Sequence, residues 1–222
     1  MQKLERAAQH HEPRGLAAQL QPWTRRPLRI AVLMLAVVTA AVFGVGVAPA
    51  QAKVTYSGYF TFDKNPNNPS NSKLTWTLYR TDLDPPRKTT QVSWRAGSGL
   101  GVKDPCVRNR GWLPNGWYSV TLFQKYAGSA IHGTVFRLSD KTCKSGSSIK
   151  RTELFIHSEM TVSGGQKCTS KPDDPTCWEG NGDYKSNGCI KLKPADVKAA
   201  ATYWKIAYKP GKTVKNGLVV VS

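Results

Sequence analysis

The residues able to do covalent chemistry in this chain are few. Of 222 residues, five are cysteine and four are histidine. The cysteines are Cys106, Cys143, Cys168, Cys177 and Cys189. An odd number in a disulfide-forming compartment leaves one thiol for an intermolecular bridge or for reaction. Cys168 and Cys177 bracket a KPDDP turn, which favours a local bridge between them. Cys106 and Cys143 would then form the second, leaving Cys189, although four cysteines allow three pairings. Cys189 stands in SNGCIKL, residues 186–192. Ser186, Asn187 and Gly188 make a tight polar turn, and glycine accepts backbone geometry that other residues resist. A cysteine on such a turn can aim its own N–H and neighbouring ones at one point, as an oxyanion requires. A thiol is only slightly ionised near neutrality, so it needs a base or a cation beside it. His157, which ends ELFIH 32 residues before Cys189, is the candidate base. His132, in AIHGTVF, is the competing base and reads as a structural strand histidine. There is no C-x-x-C and too little histidine for a zinc site, so no metal is expected.

The chain's beginning reads as an address. Arg25, Arg26 and Arg29 precede Ile30–Val47, an uncharged apolar run of 18 residues. Ala50-Gln51-Ala52 follows as a small-residue cleavage site, so residues 1–52 read as a secretory signal peptide. TRRPLRI loosely resembles a twin-arginine export signal. Left uncleaved, 18 apolar residues could anchor the chain in a membrane. Export would carry the protein to a compartment where disulfides persist.

Composition excludes several classes. A 40% hydrophobic fraction with 9% aromatics is too rich for a disordered polycation. The chain is also too short and irregular for a multi-span membrane protein or a repeat array. Thirty-two Lys and Arg against 14 Asp and Glu give +18. Without residues 1–52, 26 basic and 12 acidic residues leave +14, and only His132 and His157 remain. Export and the lack of a recognition motif argue against nucleic acid as the partner of that charge. Anionic cell-wall polymers fit the compartment, through long-range attraction that salt would weaken.

The elements that must position Cys189 and His157 are mostly strands. Segments 54–62, 73–80, 89–96, 116–124 and 134–140 are rich in β-branched and aromatic residues, with Asn/Pro/Asp clusters between the first of them. ELFIH reads as a short apolar strand. The one convincing helix is 195–205, with Pro194 in its first turn and Val197, Ala200, Ala201 and Trp204 on one face. TVKNGLVVV reads as a hairpin with Asn216-Gly217 in a type I′ turn. Segment 163–185 reads as a long loop. No linker divides residues 53–222, so they form a single β-rich α+β domain.

FIHS followed by SNGCIKL resembles the signature of the YkuD-type L,D-transpeptidases. KLTWTLYR, TTQVSWRAGSG and WLPNGWYSV resemble that family's early strands, its glycine turn and its TPxGxY segment. The likeness covers roughly residues 73–222. It implies a β-sandwich catalytic domain with one or few short helices, acting on peptidoglycan stem peptides without cofactor. Cys189 would be the nucleophile and His157 its base, oriented by a carbonyl at Ser158. Ser186, Asn187 and Gly188 would shape the turn and, with the Cys189 N–H, the oxyanion site. Two positions depart from the common motif. Asn187 stands where histidine is usual. Lys191 stands where the family has Asn or Arg; as a tentative substrate contact it keeps a charge but not a bidentate grip. The implied reaction is 3→3 cross-linking through a thioester. The alternatives are an L,D-carboxypeptidase and a catalytically weak cationic wall-binding protein. The long loop before Ser186 is expected to shape substrate choice as a lid.

Overall fold

A computed structural model describes residues 52–171 and 174–221. The expected signal segment, 1–52, lies outside them except for Ala52. Alternating apolar positions build the first strands: β1 (Tyr56–Asp63) buries Phe60 and Phe62, and β2 (Ser72–Arg80) buries Leu74, Trp76 and Leu78. β3 (Arg87–Ser98), β4 (Gly116–Ala127) and β5 (His132–Leu138) follow, with Tyr118, Val120 and Leu122 of β4 facing inward. β6 (Lys141–Thr142) and β7 (Lys150–Arg151) form a small separate hairpin. β8 (Phe155–His157), β9 (Ile190–Lys191), α1 (Pro194–Ala207) and β10 (Thr213–Val221) complete the chain.

The fold is β-rich, with one α-helix among the described residues. Eight strands pair in the closed order β1-β10-β4-β5-β8-β9-β3-β2. Where a sandwich predicts two sheets, the hydrogen-bonded ladder here runs unbroken round a barrel. Each of these eight strands has two neighbours in the closed order, although β3 meets β9 only at Gly97 and Ser98. The helix packs its expected face into the same core. Trp204 stacks on Phe60 at 5.8 Å and meets Phe136 edge-on at 5.5 Å. Val197, Ala200 and Trp204 are fully buried.

One local expectation is corrected. Residues 213–221 form a single strand, not a hairpin. Thr213 and Val214 pair with Thr121 and Val120, and Leu218 to Val220 continue in the same direction along Tyr118 to Gly116. Asn216, at φ 55°, sits in a bulge between the two runs. The tertiary fit outweighs the Asn-Gly turn preference. Residues 218–221 pair with β1 on their other side, and Leu218 and Val220 bury their side chains.

Candidate active site

β8 and β9 lie side by side in parallel, with Ile156 opposite Ile190 and His157 opposite Lys191. Side chains alternate across a strand. Ile156 and Ile190 therefore enter the barrel core, where both are fully buried. Phe155, His157 and Lys191, with Cys189 just before β9, take the outer face. There Cys189 packs with Phe155 and Val135 in a second small apolar cluster. A cavity of about 590 Å³ opens over this face. It is lined by Cys189, His157, Glu159, Lys191, Ser186, Asn187, Asp183 and Lys185, with Leu100, Ala130, Ile131 and Gly182 at its sides.

The other four cysteines are spent in bridges. Cys106 is bonded to Cys143 and Cys168 to Cys177, and Cys189 is the free cysteine. Its Sγ donates to the Glu153 carbonyl at 3.5 Å. Burial pushes the thiol up to about 11, against the pull of the Phe155 N–H, Arg151 and Lys191. Burial likewise pushes His157 down to about 3, and the charge on Lys191 adds to the effect. The resting pair is therefore a neutral thiol and a neutral imidazole. His157 Nδ1 lies 3.2 Å from the Ser158 carbonyl. A carbonyl only accepts, so Nδ1 carries the proton and Nε2 keeps its lone pair. The Ser158 hydroxyl is buried and has no partner among the described residues.

The turn before Cys189 is tied by side chains that the sequence singles out. Ser186 Oγ donates to the Cys189 carbonyl at 2.6 Å and accepts from Gly99 N and Gly188 N, each at 3.2 Å. Gly188 N–H is thus committed, and of the turn's expected oxyanion donors Cys189 N–H remains. The exposed Asn187 lends the turn its carbonyl, which accepts from Arg151 Nη2 at 2.9 Å. Gly188 has φ 111°, and a Cβ there would stand 2.0 Å from Arg151 Nη2. Both backbone conformation and space require glycine.

Lys191 lines the cavity, where it is paired with an acidic neighbour. Its Nζ donates to Glu159 Oε1 at 2.5 Å, and both side chains are largely buried. Burial raises the Glu159 carboxyl, opposed by Lys191. His132 begins β5 and is absent from the cavity lining; its Nδ1 is buried without a partner among the described residues.

Segment 163–185 is strapped rather than loose. Pro172 and Asp173 within it lie outside the described residues. Its Cys168–Cys177 bridge is supported by Asp174, which accepts from Thr169 Oγ1 at 2.7 Å and Thr176 N at 2.9 Å. Gln166 joins the two ends, donating to the Glu159 carbonyl at 2.8 Å and accepting from Trp178 N at 2.7 Å. A one-turn 3-10 helix, Asn181–Tyr184, then presses Tyr184 on β3. A Cβ at Gly97 would come within 2.2 Å of the Tyr184 carbonyl. Arg95 stacks 4.0 Å from the Tyr184 ring and donates to Asn181 Oδ1 at 2.8 Å. The end of the segment, at Gly182, Asp183 and Lys185, lines the cavity.

Arg151 and Glu159 escape the sequence reading. Glu159 had a signal: two residues beyond His157, strand alternation places it on the same face. Arg151 had none, since its contacts come from segments far away in the chain.

The two disulfides fit an oxidising, extracytoplasmic compartment. Among the described residues no helix is long and apolar enough to cross a membrane. No protein-family model and no curated protein matches the sequence. Solved structures similar to this one include Bd1075 of Bdellovibrio bacteriovorus, at 14% identity and TM-score 0.38. That match covers 74% of this chain and 47% of the other. Another is the helical cell shape determining protein Pgp2 from Campylobacter jejuni, at 12% identity and TM-score 0.41, covering 75% and 49%. This chain spans about half the length of both.

Proposed function

We propose that this protein is an exported, cysteine-dependent L,D-transpeptidase of the YkuD type that forms 3→3 cross-links in peptidoglycan. One observation carries the reading. The free cysteine and the histidine of FIHS and SNGCIKL line a single cavity, on the outer face of paired strands. The Cys189 thiol gives its proton to His157 Nε2, and its sulfur attacks the carbonyl of the diamino-acid residue in a stem peptide. The tetrahedral oxyanion takes a hydrogen bond from Cys189 N–H. Its collapse breaks the C–N bond to D-alanine, whose amine takes the proton from His157, and a thioester remains. An amine of a second stem then loses a proton to His157 and attacks the thioester. The new amide forms, and the thiol departs with that proton. Water in the acceptor's place makes the same site a carboxypeptidase.

The neutral resting pair has a consequence for this cycle. Proton transfer has to accompany substrate docking, because neither partner is ionised beforehand. The +14 charge of the exported part draws the protein to the anionic wall.

Incubation with peptidoglycan and analysis of the muropeptides tests the reading. Cross-linked dimers are expected. Trimmed monomers would assign a carboxypeptidase, and unaltered muropeptides a wall-binding protein without activity. Cys189→Ala should abolish labelling by an acylating carbapenem, and His157→Gln should lose activity while His132→Gln keeps it. A labelled Cys189→Ala protein would move the nucleophile elsewhere.

A further inference from the structure

Arg151 ends β7 and is 5% exposed. Its guanidinium serves two distant segments. Nη1 donates to the Pro105 carbonyl at 2.5 Å and the Trp112 carbonyl at 3.4 Å, while Nη2 donates to Asn187. Pro105 adjoins Cys106, whose bridge to Cys143 fastens the β6–β7 hairpin to the 104–111 segment. The side chain is thus a clamp between a disulfide-closed hairpin and the nucleophile's turn.

Its charge is the second anomaly. Among the described residues Arg151 has no carboxylate partner, whereas its neighbour Lys150 is paired with Asp140 and Lys191 with Glu159. A buried charge without a counter-ion is costly, and three carbonyl acceptors offset that only in part. The groups that face Cys189 are Arg151 from β7, Glu153 from the following turn, His157 from β8 and Lys191 from β9. Lys191 is paired with Glu159, and Glu153 is exposed and paired with Arg137 at 3.4 Å. His157 is neutral. Asp183 and Lys185 sit further round the cavity, where Asp183 accepts from Gly180 N at 2.7 Å and Lys185 is exposed. Tyr118, near Arg151, stays protonated and donates to the Pro114 carbonyl at 2.7 Å. Against the Asn187–Gly188 turn, Arg151 is thus a cation without a carboxylate partner, and it and the thiol attract when the sulfur ionises.

We infer that Arg151 is a positioning residue for Cys189: it fixes the Asn187 carbonyl, and with it the turn, and it supplies the unpaired charge against which the thiolate forms. This rests on reading Cys189 as the nucleophile. Lysine cannot replace arginine fully, because an ammonium lacks the fork that holds separate carbonyls.

The test compares the full-length protein with Arg151→Gln and Arg151→Lys, using small reagents instead of stem peptides. The pH dependence of Cys189 alkylation by iodoacetamide reads the charge. Its midpoint should rise by about one pH unit or more in Arg151→Gln, a roughly tenfold loss of thiolate below the midpoint. Arg151→Lys should restore at least half of that shift. An unmoved midpoint in Arg151→Gln overturns the inference. Acylation by p-nitrophenyl acetate reads the turn. Arg151→Lys should slow it about tenfold while alkylation stays within about threefold, because only acyl transfer needs the oxyanion donor. Wild-type acylation in Arg151→Lys overturns the positioning role even where Arg151→Gln does not fold. A protein that shows both shifts yet leaves peptidoglycan unchanged refutes the transpeptidase reading and keeps the role of Arg151.

Discussion

The two faces of the β8–β9 pair are made of adjacent residues and treat polarity in opposite ways. Inward, Ile156 and Ile190 belong to an apolar core with Phe60, Trp76, Phe136 and Trp204. Outward, one residue along each strand, a neutral histidine, a protonated thiol and a lysine–glutamate pair share one wall, and an arginine without a carboxylate grips the turn that leads into it. Apart from the lysine–glutamate pair, these groups are held by backbone carbonyls rather than by one another. Ser158 O holds His157, Glu153 O holds Cys189, and Asn187 O holds Arg151. The inner face can therefore carry stability, while the outer face keeps ionisable groups away from their preferred charge states.

Three measurements break or sharpen that contrast. The largest effect is expected on the inner face. Ile190→Ala should cost about 2–5 kcal/mol in urea unfolding, whereas Cys189→Ala, its sequence neighbour, should cost about 1 kcal/mol or less. Equal losses would mean that the outer cluster is as structural as the core.

Next is the response to pH. His157 titrates at about 3 when folded and near 6.5 when unfolded, so between these values the unfolded chain binds the extra proton. Stability should fall as pH drops through that window, by up to about 1.4 kcal/mol per pH unit from this group. Cys189 mirrors it: with its thiol raised from 9.0 to about 11, stability should fall as pH climbs between those values. Thermal melts should show His157→Gln flattening the acid limb and Cys189→Ala the alkaline one. A wild-type acid limb in His157→Gln would place the titrating group elsewhere.

The smallest difference lies between the disulfides. Chain entropy predicts a loss of about 4 kcal/mol on removing Cys106–Cys143, with 37 residues of separation, and about 2.6 kcal/mol for Cys168–Cys177, with 9. Beyond that gap of about 1 kcal/mol, only the first removal should slow Cys189 alkylation, since that bridge anchors the segments Arg151 clamps. Equal slowing by both would show the Cys168–Cys177 wall acting on the thiol as well.

Much of the barrel was legible because its signals are local. Alternation in β1, β2 and β4 marks strands wherever they end up, and the Val197/Ala200/Ala201/Trp204 face marks a helix before its partner is known. Asn216-Gly217 shows the limit of that logic. Its turn preference is real, yet β1 and β4 flank the segment on both sides and draw it into one bulged strand. At the site, Cys189 and His157 were legible from residue type and spacing. Lys191 was legible only as a charge, because its partner Glu159 lies 32 residues earlier. Segment 163–185 read as a loop, but its tie to β3 through Tyr184 and Arg95 leaves no local trace.

By itself, then, the sequence determined which residues could react, which segments would be strands, and that five cysteines leave one over. Those properties follow from side-chain chemistry, short-range periodicity and parity. The tertiary structure alone decided that the ladder closes into a barrel, that Lys191 is committed to Glu159, and that Arg151 stands unpaired beside the thiol. Each of these depends on segments brought together from far apart in the chain, where burial and geometry set the charge state of a group that in water would keep its ordinary one.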